Sequence, residues 1–184
     1  MQSKLKNFGV FRNKVRKGAK KPKNSSINNL SHIRISMLLL FFSIILGGTL
    51  RLGSVLASIF PLNDGGLFFT MTQDLIANGF HLPAYTSYNN LQIPFTYPPL
   101  GFYLTGLITF VTGWNLLDVM RVLPALFSTL AIPAFYLLAR EISENDYQLG
   151  TSVLIFSLLP PTIEWLIMGG GITRSPAFFF SLLS

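Results

Sequence analysis

The sequence contains no cysteine and few charged residues. Zero Cys among the 184 residues excludes disulfide bonds, cysteine-ligated zinc and thiol catalysis. Only 11% of the residues are charged, against roughly 25% in an ordinary soluble domain, and 50% are hydrophobic. This composition argues against a water-soluble globule and predicts a protein of the lipid bilayer.

The few charges are unevenly distributed along the chain. Ten of the fourteen Lys and Arg residues lie between Lys4 and Arg34, where no acidic residue occurs. The rest of the chain has four basic and seven acidic side chains, a net charge of −3. The pI of 9.9 therefore describes a basic tail. The apolar remainder has no basic stripe that could follow a phosphate backbone, so we expect a membrane as partner and no nucleic acid.

The hydrophobic pattern predicts an all-α, polytopic transmembrane protein. Residues 1–33 are basic and then polar, which predicts a disordered cytoplasmic tail, and residues 34–184 are predicted to form the transmembrane domain. The predicted spans are about 35–52, 99–112, 119–139, 149–168 and 175–184, with a long loop at 53–98. Because the last span is cut short inside a hydrophobic run, we expect the N-terminal part of a longer protein.

The basic tail also predicts how the chain enters the membrane. Positive charge stays inside, so the N-terminus is expected in the cytoplasm and the loop at 53–98 on the outer face of the plasma membrane. The first span could instead be a secretory signal, since Val55-Leu56-Ala57 passes for a cleavage site. The long basic region and the later spans favour an uncleaved anchor.

The outer loop is predicted to contain a short amphipathic helix on the membrane surface. Apolar residues recur at helical spacing, and polar ones fall on the other side: Leu67, Phe68, Met71, Leu75 and Ile76 against Thr70, Gln73 and Asp74. Asn63-Asp64-Gly65-Gly66 precedes this run and Asn78-Gly79 closes it, as expected for a helix start and a helix end. Asp74 is expected to be solvated or to face lipid headgroups rather than to be catalytic.

Asp64 is the main candidate for a functional residue. It lies just outside the first span, and Gly65 and Gly66 beside it would let a ligand approach the backbone closely. A helix cap explains an Asp at this position without any chemistry, and from the residue alone it is the favoured interpretation. His81 has no second His, Asp or Glu at ligand spacing, so the sequence predicts no metal site there.

Further candidates lie near the ends of the predicted spans. Arg51 and Arg174 either snorkel to the interface or meet an anion, because a guanidinium near membrane depth is costly. Glu164 ends a long uncharged run and is expected to face a cavity, a partner or the interface. Gly169-Gly170-Gly171 is predicted to be a loop whose backbone could nest a phosphate together with Arg174.

Two segments carry a family resemblance, Asn63-Asp64-Gly65-Gly66-Leu67-Phe68-Phe69 and Ile93-Pro94-Phe95-Thr96-Tyr97-Pro98-Pro99-Leu100-Gly101-Phe102-Tyr103-Leu104. Together they resemble the first outer loop of the polytopic GT-C glycosyltransferases, especially the protein O-mannosyltransferase and aminoarabinose-transferase-like branch. In that branch an acidic residue follows the first span, a surface helix comes next, and His-Pro-Pro-Leu opens the second span. Arg121-Val122-Leu123-Pro124-Ala125-Leu126-Phe127 looks like part of the next helix. The resemblance covers about Arg51 to Ser175.

The chain departs from the family pattern at three positions. Tyr97 replaces the usual His before Pro-Pro, and Phe102 stands where the mannosyltransferases often have Lys. Asn63-Asp64 offers one carboxylate where many relatives have an acidic pair. The cofactor is therefore left unknown: a divalent metal is possible, but no acidic pair supports it.

The resemblance implies a glycosyltransferase that uses a polyprenyl-phosphate-linked sugar donor. It implies that Asp64 is the catalytic carboxylate and that the turn with Tyr97 and Pro98 forms part of the wall of the active site. The departing lipid phosphate of such a donor would need a cation, for which Arg51 and Arg174 are candidates. Two alternatives stay open. A transporter or flippase subunit would have broken helices, for which Leu159-Pro160-Pro161 is one candidate; in a non-catalytic membrane scaffold Asp64 would be only a cap.

Overall fold

The computed structural model describes residues 25–60 and 63–184, with side chains described from residue 35 onward except at 61–62. The chain divides into two units, Met1–Arg34 and Ile35–Ser184, and the packing described below is that of the second. The described part contains α1 (Ser25–Ala57), α2 (Gly65–Ala77), β1 (Tyr85–Thr86), a 3-10 turn (Tyr88–Asn90), β2 (Ile93–Pro94), α3 (Leu100–Thr112), α4 (Leu116–Ile142), α5 (Asp146–Leu158), α6 (Pro160–Ile167) and α7 (Gly171–Leu183). The predicted helical architecture is confirmed at this level.

Two of the described helices are long and apolar enough to cross a membrane. They are the Ile35–Ala57 part of α1, with 23 residues, and α4, with 27. Helices α5 and α6 pass the same test together, but the pair is bent by 45°. Helix α3 has 13 residues, about 20 Å of helix. These apolar helices indicate a lipid bilayer environment.

Several boundaries differ from the sequence-based expectation. The predicted tail up to residue 24 lies outside the described residues, but α1 begins at Ser25, inside the segment that was expected to be disordered. Extending a helix that already exists costs only tenths of a kcal/mol per polar residue, because each added residue also adds a hydrogen bond. The span predicted at 149–168 is two helices that meet at Leu159, because Pro160 and Pro161 have no amide hydrogen.

Helix α2 has the predicted position, but its apolar side packs against protein. Phe68, Met71 and Leu75 are each at most 1% exposed. They form one cluster with residues of the next loop and helices, namely Phe95, Phe102, Met120 and Ile172. The predicted placement of this helix on the membrane surface is therefore wrong in one respect: most of the stripe that would bind lipid is already buried.

Helices α3 and α7 approach each other closely at a glycine. A Cβ atom on Gly101 would overlap the carbonyl of Ile172, so only glycine fits at this contact. The contact brings the Tyr97-Pro98 turn, which precedes α3, next to the first turn of α7.

Two asparagine caps, Asn115 and Asn145, fix the starts of α4 and α5, where each side chain accepts a backbone amide at 2.9 Å.

Candidate functional site

Four of the five residues that the sequence analysis assigns to a catalytic or substrate-binding role line one cavity of about 440 Å³. They are Asp64 at the start of α2, Tyr97 and Pro98 before α3, and Arg174 in α7. The remaining lining residues are Phe68, Trp165, Thr173 and Ala177. Chain segments more than a hundred residues apart therefore meet at this cavity.

The Asp64 side chain does not cap its own helix. Its backbone carbonyl accepts the Leu67 amide at 3.2 Å, but its carboxylate makes no capping hydrogen bond. Instead, Asp64 Oδ1 accepts the backbone amide of Gly170 at 3.1 Å. Helix capping therefore does not account for an Asp at this position, and the carboxylate is held by the α6–α7 turn.

Arg174 lies beside the free oxygen of this carboxylate. Its Nη2 is 3.8 Å from Asp64 Oδ2, and the two side chains are 25% and 37% exposed. A pair this exposed contributes less than about 1 kcal/mol to stability. The ion pair therefore contributes little to the stability of the fold, and both charged groups remain accessible from the cavity.

Trp165 fixes the other side of the Arg174 guanidinium. The guanidinium carbon lies 4.1 Å from the centre of the Trp165 ring, a cation–π contact. On the Gly170 side, a Cβ atom would overlap the guanidinium, so a larger residue there would displace it. Arg174 is therefore held between a ring and a glycine rather than snorkelling to the interface.

The triple glycine is a packing device as well as a turn. A Cβ atom on Gly169 would overlap the backbone of Gly65, and one on Gly171 would overlap the carbonyl of Leu166. Helix α7 begins at Gly171, so the predicted loop is confined to the first two glycines. Since the Gly170 amide donates to Asp64, it is not free to nest a phosphate as the sequence suggested.

The aromatic wall of the cavity continues into the core. The Tyr97 ring packs against Phe68 with centroids 4.7 Å apart, and Phe68 stacks on Phe102 at 5.7 Å. Phe102 is fully buried and also contacts Phe95. Residue 102 therefore faces the hydrophobic core, where an unpaired ammonium in place of the ring would be unfavourable.

Arg51 lies outside the cavity. It is 0% exposed and does not snorkel, because its guanidinium donates hydrogen bonds to five acceptors within the helix bundle. A guanidinium has five N–H groups, so none is left for a phosphate. The structure does not bring Arg51 together with the other four candidate residues.

Asp74 holds the β1–β2 hairpin instead of facing solvent alone. Its carboxylate accepts the hydroxyls of Thr86 and Ser87, each at 2.7 Å, and the Ser87 amide at 2.8 Å. Partial burial alone would raise the pKa of Asp74, but these hydrogen bonds to the charged form outweigh it and lower the pKa below its ordinary value.

Glu164 lines two grooves, one of about 380 Å³ along α6 and one of about 410 Å³ between α1 and α6. Its side chain is exposed and has no hydrogen-bond partner among the residues described. Among all the residues that the structure describes, no group of three His, Asp or Glu side chains lies close enough to hold a metal ion.

Sequence reasoning missed Trp165 and the packing glycines. A Trp at the end of a predicted span is usually an interface anchor, so its position after Glu164 gave no sign of a cavity wall. Gly101 and Gly169 are required by contacts with segments distant in sequence. Gly101, close after Pro98-Pro99, and the glycine triplet were visible in the sequence, but the sequence did not show which chain segments these glycines contact.

No family model, curated protein or solved structure matches the chain. The cavity therefore has to be interpreted from its own chemistry. It combines a fixed carboxylate, a nearby guanidinium and an aromatic wall, next to helices suited to a bilayer.

Proposed function

We propose that this chain is a GT-C-like glycosyltransferase domain in a multi-pass membrane protein. It transfers a sugar from a polyprenyl-phosphate-linked donor to an acceptor hydroxyl at the outer face of the plasma membrane, with the N-terminus in the cytoplasm. The observation that carries the proposal is the meeting of Asp64, Tyr97, Pro98 and Arg174 at one cavity. These residues come from distant segments, and the motif resemblance assigns all but Arg174 to the active site.

In this proposal Asp64 acts as the general base or orients the acceptor. The Gly170 amide holds Oδ1, which leaves Oδ2 to accept the hydrogen bond of the acceptor hydroxyl. The hydroxyl oxygen attacks the anomeric carbon from the face opposite the phosphate, and its proton passes to Asp64. The bond from the anomeric carbon to the phosphate oxygen breaks, and the lipid phosphate leaves with the electron pair. Much of the rate enhancement comes from positioning.

Arg174 stabilises the charge of the departing phosphate. Among the described residues it is the cation that lines the cavity, and its fork of N–H groups matches phosphate oxygens. Its stacking on Trp165 and its packing on Gly170 restrict the guanidinium, which reduces the entropy lost when it binds. The Asp64 carboxylate, 3.8 Å away, positions the same group before the donor arrives.

The membrane context suits a lipid-linked donor. The tail of such a donor stays in the bilayer, and its reactive bond lies at headgroup depth, where a soluble enzyme does not easily reach. The cavity wall is largely aromatic and apolar, and helices long enough to cross a bilayer belong to the same unit. Water is therefore partly excluded from the bond that breaks.

The proposal is tested by Asp64→Asn in the full protein, reconstituted in liposomes that contain a polyprenyl-phosphate sugar. Asn keeps the shape of the side chain and an oxygen for the Gly170 amide, but it cannot accept the proton. We expect sugar transfer to fall by about 100-fold or more, with membrane insertion unchanged. Glu144→Gln, an exposed acid outside the cavity, is the matched control. Normal transfer by Asp64→Asn would overturn the assignment of this residue.

The proposed orientation has its own test. The chain has no native cysteine, so Gln73→Cys on the exposed side of α2 provides a single thiol. In intact cells a membrane-impermeant maleimide is expected to label this thiol from outside. Labelling only after permeabilisation would place the loop in the cytoplasm and contradict the proposed topology.

A transporter or flippase subunit remains a second candidate because α5 and α6 form a bent pair of 45°. Broken helices of this kind line substrate sites in secondary transporters. A transporter would move its unmodified substrate across the liposome membrane, and this movement would not require a proton acceptor at Asp64. Movement without sugar transfer in the liposomes, unaffected by Asp64→Asn, would favour this candidate.

A further inference from the structure

The break between α5 and α6 leaves two carbonyls without their helical donors. In an α-helix the carbonyl of residue i accepts the amide of residue i+4. The carbonyls of Phe156 and Ser157 would need the amides of residues 160 and 161, and both of these residues are proline. Buried carbonyls need other donors, because an unpaired one is costly.

Side chains supply the missing donors. Arg51 Nη1 donates to the Ser157 carbonyl at 2.7 Å. The Phe156 carbonyl accepts the Leu159 amide at 3.4 Å, and the Thr162 hydroxyl lies 2.8 Å from it and shares its proton with the Leu159 carbonyl at 2.7 Å. The stronger of these replacements comes from α1, more than a hundred residues earlier in the chain.

The rest of the Arg51 guanidinium is committed to the same region. Nε donates to Ser128 Oγ at 2.8 Å, and Nη1 also donates to the Gly47 carbonyl at 3.0 Å. Nη2 lies 3.4 Å from the Thr162 carbonyl and 3.3 Å from its hydroxyl oxygen. All five N–H groups are used, and no carboxylate is among their acceptors. One side chain therefore joins α1 and α4 to both helices of the bent pair.

The space for this guanidinium is built by a glycine. A Cβ atom on Gly47 would lie 2.9 Å from Arg51 Nη1 and 2.8 Å from Ile132 Cδ1. Any larger residue would therefore displace the arginine or the neighbouring helix. The buried arginine and the glycine that makes room for it form one arrangement.

We propose that Arg51 is a positioning residue that fixes the α5–α6 bend by replacing an amide hydrogen that proline lacks. Helix α6 carries Trp165, and Trp165 holds the Arg174 guanidinium beside Asp64. Arg51 does not contact the cavity. It sets the direction of α6 after the break and thereby the position of Trp165 in the cavity wall. Its effect on sugar transfer rests on the proposed function; its effect on the bend does not.

The test measures the bend in the full chain in lipid nanodiscs. Spin labels on Ile155→Cys in α5 and Glu164→Cys in α6, both exposed positions, report the distance across the break. We expect Arg51→Met to broaden and shift the distance distribution. Adding Pro161→Ala is expected to narrow the distribution again, because the alanine amide can pair with the Ser157 carbonyl while Pro160 still interrupts the helix. Pro133→Ala, which adds an amide inside α4, is the matched control and is expected to restore nothing.

Each outcome decides the proposal. An unchanged distribution in Arg51→Met, equal rescue by the two alanines, or rescue by neither would overturn it. If Arg51→Met alone gives too little folded protein, the yield of folded protein is compared instead. Recovery with Pro161→Ala and not with Pro133→Ala supports the proposal, and any other pattern contradicts it.

Trp165 provides a second readout, which distinguishes a change at the cavity from a general loss of stability. The 184 residues contain two Trp, so Trp114→Phe leaves Trp165 as the only Trp among them, and fluorescence excited selectively at Trp reports on it. Arg51→Met is expected to change acrylamide quenching of Trp165 by about twofold and to lower sugar transfer by about tenfold or more, and Pro161→Ala to reverse both. Rescue of the bend without rescue of quenching would overturn the link to the cavity. If the bend and quenching behave as expected while Asp64→Asn transfers sugar normally, only the proposed function fails.

Discussion

Removing the Asp74 carboxylate is expected to release the β1–β2 hairpin from α2. The carboxylate accepts three hydrogen bonds from Thr86 and Ser87, between 2.7 and 2.8 Å. Thr86 is 4% exposed, so Asp74→Ala leaves its buried hydroxyl without an acceptor. The hairpin leads directly into Tyr97 and Pro98, and this anchor therefore also supports one wall of the cavity.

The size of the effect follows from these contacts. Leaving a buried donor unpaired costs about 1–3 kcal/mol, and hydrogen bonds to a charged group are the stronger ones. Because Asp74 is only partly buried, solvent screens part of this energy, and we expect a loss of about 2 kcal/mol. At about 1.4 kcal/mol for each factor of ten, the hairpin should open roughly 30-fold more often.

Hydrogen exchange measured by mass spectrometry checks this expectation. The Ser87 amide, which donates to Asp74, and the Phe95 amide, which donates to the Ala84 carbonyl at 3.0 Å, are expected to exchange faster in Asp74→Ala. Gln73→Ala, at the neighbouring exposed position, is the control and should leave both amides unchanged. Exchange in Asp74→Ala within about threefold of the wild-type rate would refute the reasoning.

The same anchor predicts a pH dependence. The pKa of Asp74 is lower in the folded chain than its ordinary value, so the folded state favours the charged carboxylate. The stabilisation is therefore complete above the ordinary Asp pKa of about 3.9 and is lost as the pH falls through the lower folded-state value. Protection of the hairpin amides should stay constant from neutral pH down to about 4 and then decrease, and Asp74→Ala should remove this dependence.

Two further substitutions test the packing and the helix start. Gly101→Ala is expected to lower the stability of the fold by about 1–3 kcal/mol, because the new Cβ would overlap the Ile172 carbonyl. Gly53→Ala is the control: no atom lies within 4 Å of its Cβ position, so this variant should be neutral or stabilising. Equal melting temperatures for the two variants would contradict the close α3–α7 contact. Asn115→Ala is expected to destabilise the start of α4 by about 1 kcal/mol, because the side chain that accepts the Leu117 amide at 2.9 Å is lost. Hydrogen exchange of the first amides of α4 measures this loss, and an unchanged exchange rate would show that the cap is not needed.

Much of the secondary structure could be predicted from the sequence because helix formation depends on local patterns. The apolar runs located α1, α3 and α4, and the spacing of apolar residues with the flanking Asn and Gly residues located α2. The break at Pro160-Pro161 was visible as a candidate because proline lacks an amide hydrogen. The expectation that lipid covers the apolar side of α2 was wrong for most of that side, because periodicity identifies an apolar side without saying whether lipid or protein covers it.

The sequence by itself determined that the chain is helical, suited to a bilayer, and equipped with an acidic residue after its first apolar helix. Tertiary structure alone decided which groups the polar side chains meet. Asp64 is held by Gly170, 106 residues away, and Arg51 reaches Thr162 across 111 residues. Such partners are set by how the helices pack, and local patterns contain no information about it. For this reason Asp64 belongs to a cavity and Arg51 to the bend between α5 and α6, although the sequence made both residues candidates for the same site.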